Sequence, residues 1–230
     1  MAKSNPIPER LKQLEVRIQV ALRDSMWDRS GLTVVAVSKR QPLASVLQAY
    51  EAGMRHFGEN QIQEGIPKIK AAPEDITWHF IGNLQKNKVR KAVKHFHYIH
   101  SVDSLSLLQR IDSIAGEERV HPKICLQVDY GLDPDKFGLH PDAVHPVLEA
   151  ALSCHNIDCI GLMAIPPVAA DAAKIDTFFR GMATMRDGLQ DAFPLWEGRL
   201  SLGMSADFEA AVRVGSHFIR IGSSLFGERR

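Results

Sequence analysis

Leu32-Thr33-Val34-Val35-Ala36-Val37-Ser38-Lys39 is a run of branched apolar residues that ends in one lysine, and Gln41-Pro42 behind it opens a helical segment. A run of this kind reads as a strand buried on both faces, as in parallel sheets. Side chains alternate along a strand, so Thr33, Val35, Val37 and Lys39 share one face. An ammonium group drawn out of water loses solvation, and burial lowers its pKa toward the neutral, nucleophilic amine. Lys39 at the mouth of such a strand is therefore a candidate for imine chemistry. The other reading is a lysine whose ammonium reaches past the strand end into solvent.

Working outward, Leu11, Leu14, Ile18 and Leu22 recur at helical spacing over 7–26, which places an extra helix before this strand. Further strands are expected at 56–60, 77–82, 96–102, 124–128, 157–165, 199–202 and 218–221. Helices are expected at 43–52, from 60 to 69, and over 85–94, 105–115, 141–153, 172–189 and 205–214. This alternation predicts an α/β chain that forms one domain over 1–230, a (β/α)8 TIM barrel with an N-terminal helix added. An open doubly wound sheet is the alternative, but no GxGxxG follows the first strand.

Composition narrows the function classes. With 45% hydrophobic and 24% charged residues the chain has a globular rather than a disordered make-up. Its net charge of +1 creates no field that would steer it onto nucleic acid or a membrane surface. Cys125, Cys154 and Cys159 form no CxxC pair and suit reduced thiols in a core, which points to the cytoplasm. Met1-Ala2-Lys3-Ser4-Asn5-Pro6 lacks the apolar stretch of a signal peptide. The longest apolar segment, 159–170, is interrupted by Pro166-Pro167 and is too short for a membrane span.

Barrels place reacting groups at the C-terminal ends of their strands, often with a phosphate site after strands seven and eight. Ser201-Leu202-Gly203-Met204-Ser205 follows the seventh strand here and Gly222-Ser223-Ser224 the eighth. Small hydroxyl-rich loops let backbone N–H groups approach an anion closely. Taken singly, Ser205 also makes an N-cap and Gly222 a turn. Asp207 and Glu209 would repel a phosphate if they faced it. Ile219 and Ile221 packed outward would turn Arg220 toward the barrel axis, where a guanidinium needs an acceptor, either a neighbouring carboxylate or a bound cofactor. Asn60-Gln61-Ile62-Gln63 reads as a capping box. Lys136 sits in a turn after the fifth strand, as a solvated charge or as a second lysine able to hold an aldehyde or its phosphate. His95, His97 and His100 lack a zinc-binding spacing, and no metal site is expected. Lys86, Arg90 and Lys94 share a helix face, which is either solvated or a docking surface for an acidic partner or RNA.

Val35-Ala36-Val37-Ser38-Lys39, His56-Phe57-Gly58-Glu59-Asn60, the segment Trp78 to Lys88, Gly161-Leu162-Met163, Leu202 to Asp207 and Arg220-Ile221-Gly222 together resemble the pyridoxal phosphate homeostasis proteins. These are relatives of the alanine racemase N-terminal barrel, and the resemblance runs from about residue 7 to 228. It implies pyridoxal 5′-phosphate (PLP) as cofactor, Lys39 as the Schiff-base lysine, and Arg220 against the pyridine nitrogen. It further implies that Ser201, Ser205, Gly222 and Ser223 hold the phosphate, with Asn60 near the ring and Lys136 as a secondary contact. Phe137 departs from the small residue usual in relatives, and Ser223 replaces their common threonine while keeping the hydroxyl. Arginine does not give up its proton, so opposite the pyridine nitrogen it favours an unprotonated ring and weakens the electron sink. Racemisation also needs an acid–base group on each substrate face, and the racemases supply one from an added β-domain for which 230 residues leave no room. The expectation is a monomeric, non-catalytic PLP carrier that serves apoenzymes, and the alternative is a small PLP-dependent amino-acid racemase.

Overall fold

The computed structural model describes residues 6–23, 25–132, 137–168 and 170–227. Its parallel strands close into a barrel in chain order, β1 (Thr33–Val37), β2 (His56–Glu59), β3 (Thr77–Phe80), β4 (Tyr98–Val102), β5 (Lys123–Gln127), β6 (Asp158–Met163), β7 (Arg199–Met204) and β8 (Phe218–Ile221). Parallel neighbours cannot be joined by a tight turn, so each connection crosses the outside and covers the outer strand face. The helices are α1 (Ile7–Arg23), α2 (Leu43–Glu51), α3 (Ile62–Ala71), α4 (Val89–Val93), α5 (Leu105–Glu118), α6 (Pro141–Leu152), α7 (Ala172–Ala192), α8 (Phe208–Arg213) and α9 (Ser223–Phe226). The expected (β/α)8 barrel with its extra N-terminal helix is what forms.

Alternation along each strand sorts residues between two cores. Val34 and Ala36 of β1 join the outer core under the helices, whereas Val35 packs inside the barrel with Cys125, Ile160, Met163 and Phe218. Ile219 and Ile221 of β8 also belong to the outer core, which turns the buried Arg220 inward as the pattern predicts. Helix α1 buries Ile7, Leu14, Ile18 and Ala21. Each large aliphatic side chain so buried contributes about 1.5–3 kcal/mol, and Arg17 of α1 donates to Glu209 of α8 at 2.7 Å.

Two segments depart from the sequence pattern. Residues 85–94 do not form one helix but a 3-10 turn, Lys86–Lys88, followed by the short α4. Like charges spaced four apart destabilise a helix, and Arg90 and Lys94 instead reach the end of α5. Arg90 pairs there with Glu117 and Glu118, and Lys94 with Glu118 at 2.8 Å. Of the three charges on the face read as either solvated or a docking surface, Arg90 and Lys94 are thus paired within the fold. Helix α8 starts at Phe208 rather than near 205, because Asp207 Oδ1 accepts from the Met204 N–H at 2.6 Å and holds 204–207 in a turn. Among the described residues no helix is long and apolar enough to cross a membrane.

Candidate cofactor site

The strands end at the rim of a cavity of about 620 Å³, lined by Val37 at the end of β1 with Lys39 and Gln41 beyond it, Asn60 after β2, and Ile81, Gly82 and Asn83 after β3. Gln127, Phe137, Ile165 and Arg220 also line it, with Met204 at the end of β7, Ser205 and Ala206 beyond it, and Gly222 and Ser223 after β8. The volume falls in the usual range for small-molecule sites.

Lys39 stands partly buried on a turn that is pinned from below. Ser38 is fully buried; its N–H donates to Gly58 O at 3.0 Å and its carbonyl accepts from Gln41 N–H at 3.0 Å. The same carbonyl accepts from Lys68 Nζ at 2.7 Å, and the Ser38 hydroxyl donates to Glu59 Oε1 at 2.7 Å. Lys68 also bridges Glu59 at 2.8 Å and Glu64 at 2.7 Å, while Glu64 accepts from the Arg40 N–H. Burial pushes the Glu59 carboxyl up, and the Lys68 and Ser38 hydrogen bonds oppose that shift. Arg40 itself adopts φ 60°, a left-handed conformation that side chains other than glycine seldom take. Strain of this kind persists only where the surroundings impose it.

Arg220 is almost wholly buried, and its acceptors are neutral. Nη1 donates to Ser201 O at 2.6 Å and to Ser201 Oγ at 2.9 Å, and Nη2 donates to Ala164 O at 3.1 Å. Neither of the two expected acceptors, a carboxylate or a cofactor, is needed to hold it. Burial lowers its pKa to about 10, against the attraction of Asp207, so it stays a cation at neutral pH. Three of the five guanidinium N–H groups are engaged among the described residues, which leaves donors for a group in the cavity.

The last two loops are stapled to each other. Ser205 Oγ accepts from the Gly222 N–H at 3.1 Å and the Ser224 N–H at 3.3 Å, and Ser224 Oγ donates to Ser205 O at 3.4 Å. Ser205 is therefore no N-cap. Asp207 is turned onto Met204 and Glu209 onto Arg17, so neither carboxylate lines the cavity that a phosphate would enter. The capping-box reading of Asn60 also falls, since Gln61 precedes α3 and makes no side-chain cap. Asn60 lines the cavity instead, and a Cβ at Gly82 would come 2.1 Å from its carbonyl oxygen, so the glycine lets the β2 and β3 ends close together.

Lys39, Asn60, Ser205, Arg220, Gly222 and Ser223 thus converge on one cavity. Ser201 does not: its side chain is fully buried between His100 Nδ1, at 2.8 Å, and Arg220. Its place inside β7 turns it to the axis below the loop, so it supports the cation rather than a phosphate. Lys136 lies outside the described residues. Histidines 95, 97 and 100 also separate: His95 Nδ1 contacts Lys91 O, His97 Nδ1 accepts from the Trp78 N–H, and His100 points into the barrel. Sequence reading missed Gln41, Asn83 and Gln127 as lining residues; each sits at or just past a strand end, which was the available signal.

A closed barrel with an amine, a buried cation and two stapled hydroxyl-rich loops around one cavity defines a small-molecule-binding (β/α)8 protein. Residues 13–230 match the family described as alanine racemase, N-terminal domain. The pyridoxal phosphate homeostasis protein of Pseudomonas aeruginosa is 38% identical over 97% of this chain and 96% of its own length. That of Aquifex aeolicus is 34% identical over 96% and 98%. PipY of Synechococcus elongatus PCC7942, solved with PLP bound, superposes with a TM-score of 0.85 at 41% identity, covering 96% of this chain and all of PipY. The chain belongs to the alanine racemase N-terminal domain family and, within it, to the pyridoxal phosphate homeostasis proteins. Alanine racemase of Clostridium difficile, at 16% identity and a TM-score of 0.73, shares the fold.

Two outcomes follow from this geometry. Lys68→Met leaves Glu59 buried without its cation and is expected to cost about 3–5 kcal/mol in urea unfolding at pH 7; a loss below about 1 kcal/mol would show that the cluster does not hold the turn. Burial lowers the pKa of five imidazoles, His100 to about 3, His217 to about 4, His79 well below its usual value, and His56 and His97 below theirs. A depressed folded-state pKa stabilises above the unfolded value of 6.5 and is lost as pH falls toward the folded one. Glu59, Asp103 and Asp207 have raised values and act the other way, but they are fewer. Unfolding free energy is therefore expected to rise with pH between about 4 and 6.5, and a flat profile there would contradict the burial of these rings.

Proposed function

We propose that the protein binds PLP in this cavity as a reversible Schiff base with Lys39 and acts as a carrier, sequestering the aldehyde and releasing it to apoenzymes without catalysing a reaction of its own. The observation that carries this reading is the convergence of Lys39, Arg220 and the Ser205–Gly222 loop pair on one cavity. The names of the relatives and the PLP held by PipY support it. Lys39 supplies the amine. Ser205 and Ser223 take the phosphate through their hydroxyls, and Gly222, whose own N–H is held by Ser205 Oγ, lets it come close to the backbone. Arg220 faces the ring nitrogen, Asn60 stands beside the ring, and Ser201 acts through Arg220. Lys136 is the proposed secondary contact.

Bound PLP supplies an electron sink, and a cation that keeps its own proton opposite the ring nitrogen blunts it. That favours storage over turnover. The described cysteines are all free thiols, which suits the cytoplasm, and we place the protein there as a monomer.

Gly222 offers a clean test of the phosphate assignment. A Cβ there would lie 3.7 Å from Val37 Cβ, an ordinary contact, so the protein itself tolerates alanine. Gly222→Ala is expected to keep the parent unfolding midpoint while weakening PLP about tenfold or more in an absorbance titration. Unchanged affinity would remove the phosphate from this loop. For the carrier role, loaded protein mixed with a PLP-dependent apoenzyme should restore its activity, and a panel of amino acids in deuterated water should keep their α-protons. Sustained exchange would establish a small racemase instead.

A further inference from the structure

Three histidines from successive strands run through the barrel interior. His56 Nδ1 lies 3.0 Å from His79 Nε2, His79 Nδ1 lies 2.9 Å from His100 Nε2, and His100 Nδ1 lies 2.8 Å from Ser201 Oγ. Ser201 Oγ in turn accepts from Arg220 Nη1 at 2.9 Å. His79, His100 and Ser201 are fully buried. His56 opens β2 and is only partly buried, so the line ends at the face of the barrel opposite the cavity.

Arg220 gives the line a direction, because a guanidinium donates and never accepts. The Ser201 hydroxyl therefore accepts from Arg220 and has one proton of its own to place. Its other partner among the described residues is His100 Nδ1, which must receive that proton. A ring nitrogen that accepts is unprotonated, so His100 carries its proton on Nε2 and donates it to His79 Nδ1. By the same step His79 Nε2 donates to His56 Nδ1, and His56 is left with its proton on Nε2. Imidazolium anywhere inside would put donor against donor. Burial keeps the rings neutral, with His100 down at about 3 and His79 well below its usual value.

We infer that His56, His79, His100 and Ser201 form a one-way hydrogen-bond chain that stands in for a carboxylate beside Arg220 and positions the donors it turns to the cavity. Each link presents its negative end toward the guanidinium, and aligned links polarise one another. A carboxylate in the same place would neutralise the cation; a chain of neutral dipoles solvates it and leaves its full charge facing the cavity. The three histidines and Ser201 are positioning residues. Their effect on PLP rests on the function proposed above, whereas the direction of the chain does not.

The test is ring-tautomer NMR on full-length protein labelled in histidine with 13C and 15N, at pH 7 and without added PLP. His56, His79 and His100 are expected as neutral rings protonated on Nε2 alone. Imidazolium, or a proton on Nδ1, at His79 or His100 would overturn the inference. Ser201→Ala should turn His100 into a mixture of the two neutral tautomers and weaken PLP roughly tenfold; an unchanged His100 spectrum in that variant would also overturn it. Should the variant fail to fold, the spectrum of the unaltered protein still decides. Should PLP fail to bind the unaltered protein, the cofactor reading falls and the tautomer result stands by itself.

Discussion

A guanidinium drawn inside a closed barrel loses its water, and the protein has to replace that solvation atom by atom. Arg220 is treated this way, and much of the interior is arranged to suit it. The Ser201 and Ala164 carbonyls and the Ser201 hydroxyl take three of its protons. His100 braces that hydroxyl, and Tyr98 stacks on His79 with ring centroids 4.4 Å apart. The cation is held without being neutralised by hydrogen-bonded contact with a carboxylate. This leaves a buried positive donor lining the cavity, the one the proposed function sets against the ring nitrogen.

The rim is built by a different device. Ser38 has its carbonyl, hydroxyl and N–H all engaged, so the residue that follows it, Lys39, starts from a fixed base. Across the mouth, Ser205 binds two backbone N–H groups of the next loop and fixes both loops together. An amine on one anchored turn and amide-rich loops on the other make a two-ended grip. Preorganisation of this sort reduces the ordering cost of binding, which is consistent with the proposed reversible capture of an aldehyde.

Much of this was legible in the chain. Alternation in Thr33–Val37 and Phe218–Ile221 places Val35 and Arg220 inward, because closing a barrel leaves each residue only two directions in which to point. The strand-to-helix rhythm puts the loops after β7 and β8 beside each other. What sequence could not convey was the depth of a residue within its strand. Ser201 and Ser205 look alike as small hydroxyls near Gly203, yet one is a buried brace and the other a loop staple. Asn60 has a capping-box neighbourhood, but the helix begins two residues later. The histidine chain hid in plain alternation: His56, His79 and His100 each occupy an inward position on three successive strands, and only the barrel register brings them within 3.0 Å. The charges at Arg90 and Lys94 looked free for an external partner because their acidic mates, Glu117 and Glu118, lie on another helix.

The central claim is that one amine, on the turn braced by Ser38, carries the cofactor. Reducing the PLP-loaded protein with borohydride and mapping the modified peptide by mass spectrometry tests it directly. The account predicts bleaching of the absorbance and a single pyridoxyl adduct on Lys39; an adduct mapped to any other lysine, with Lys39 unmodified, would contradict it.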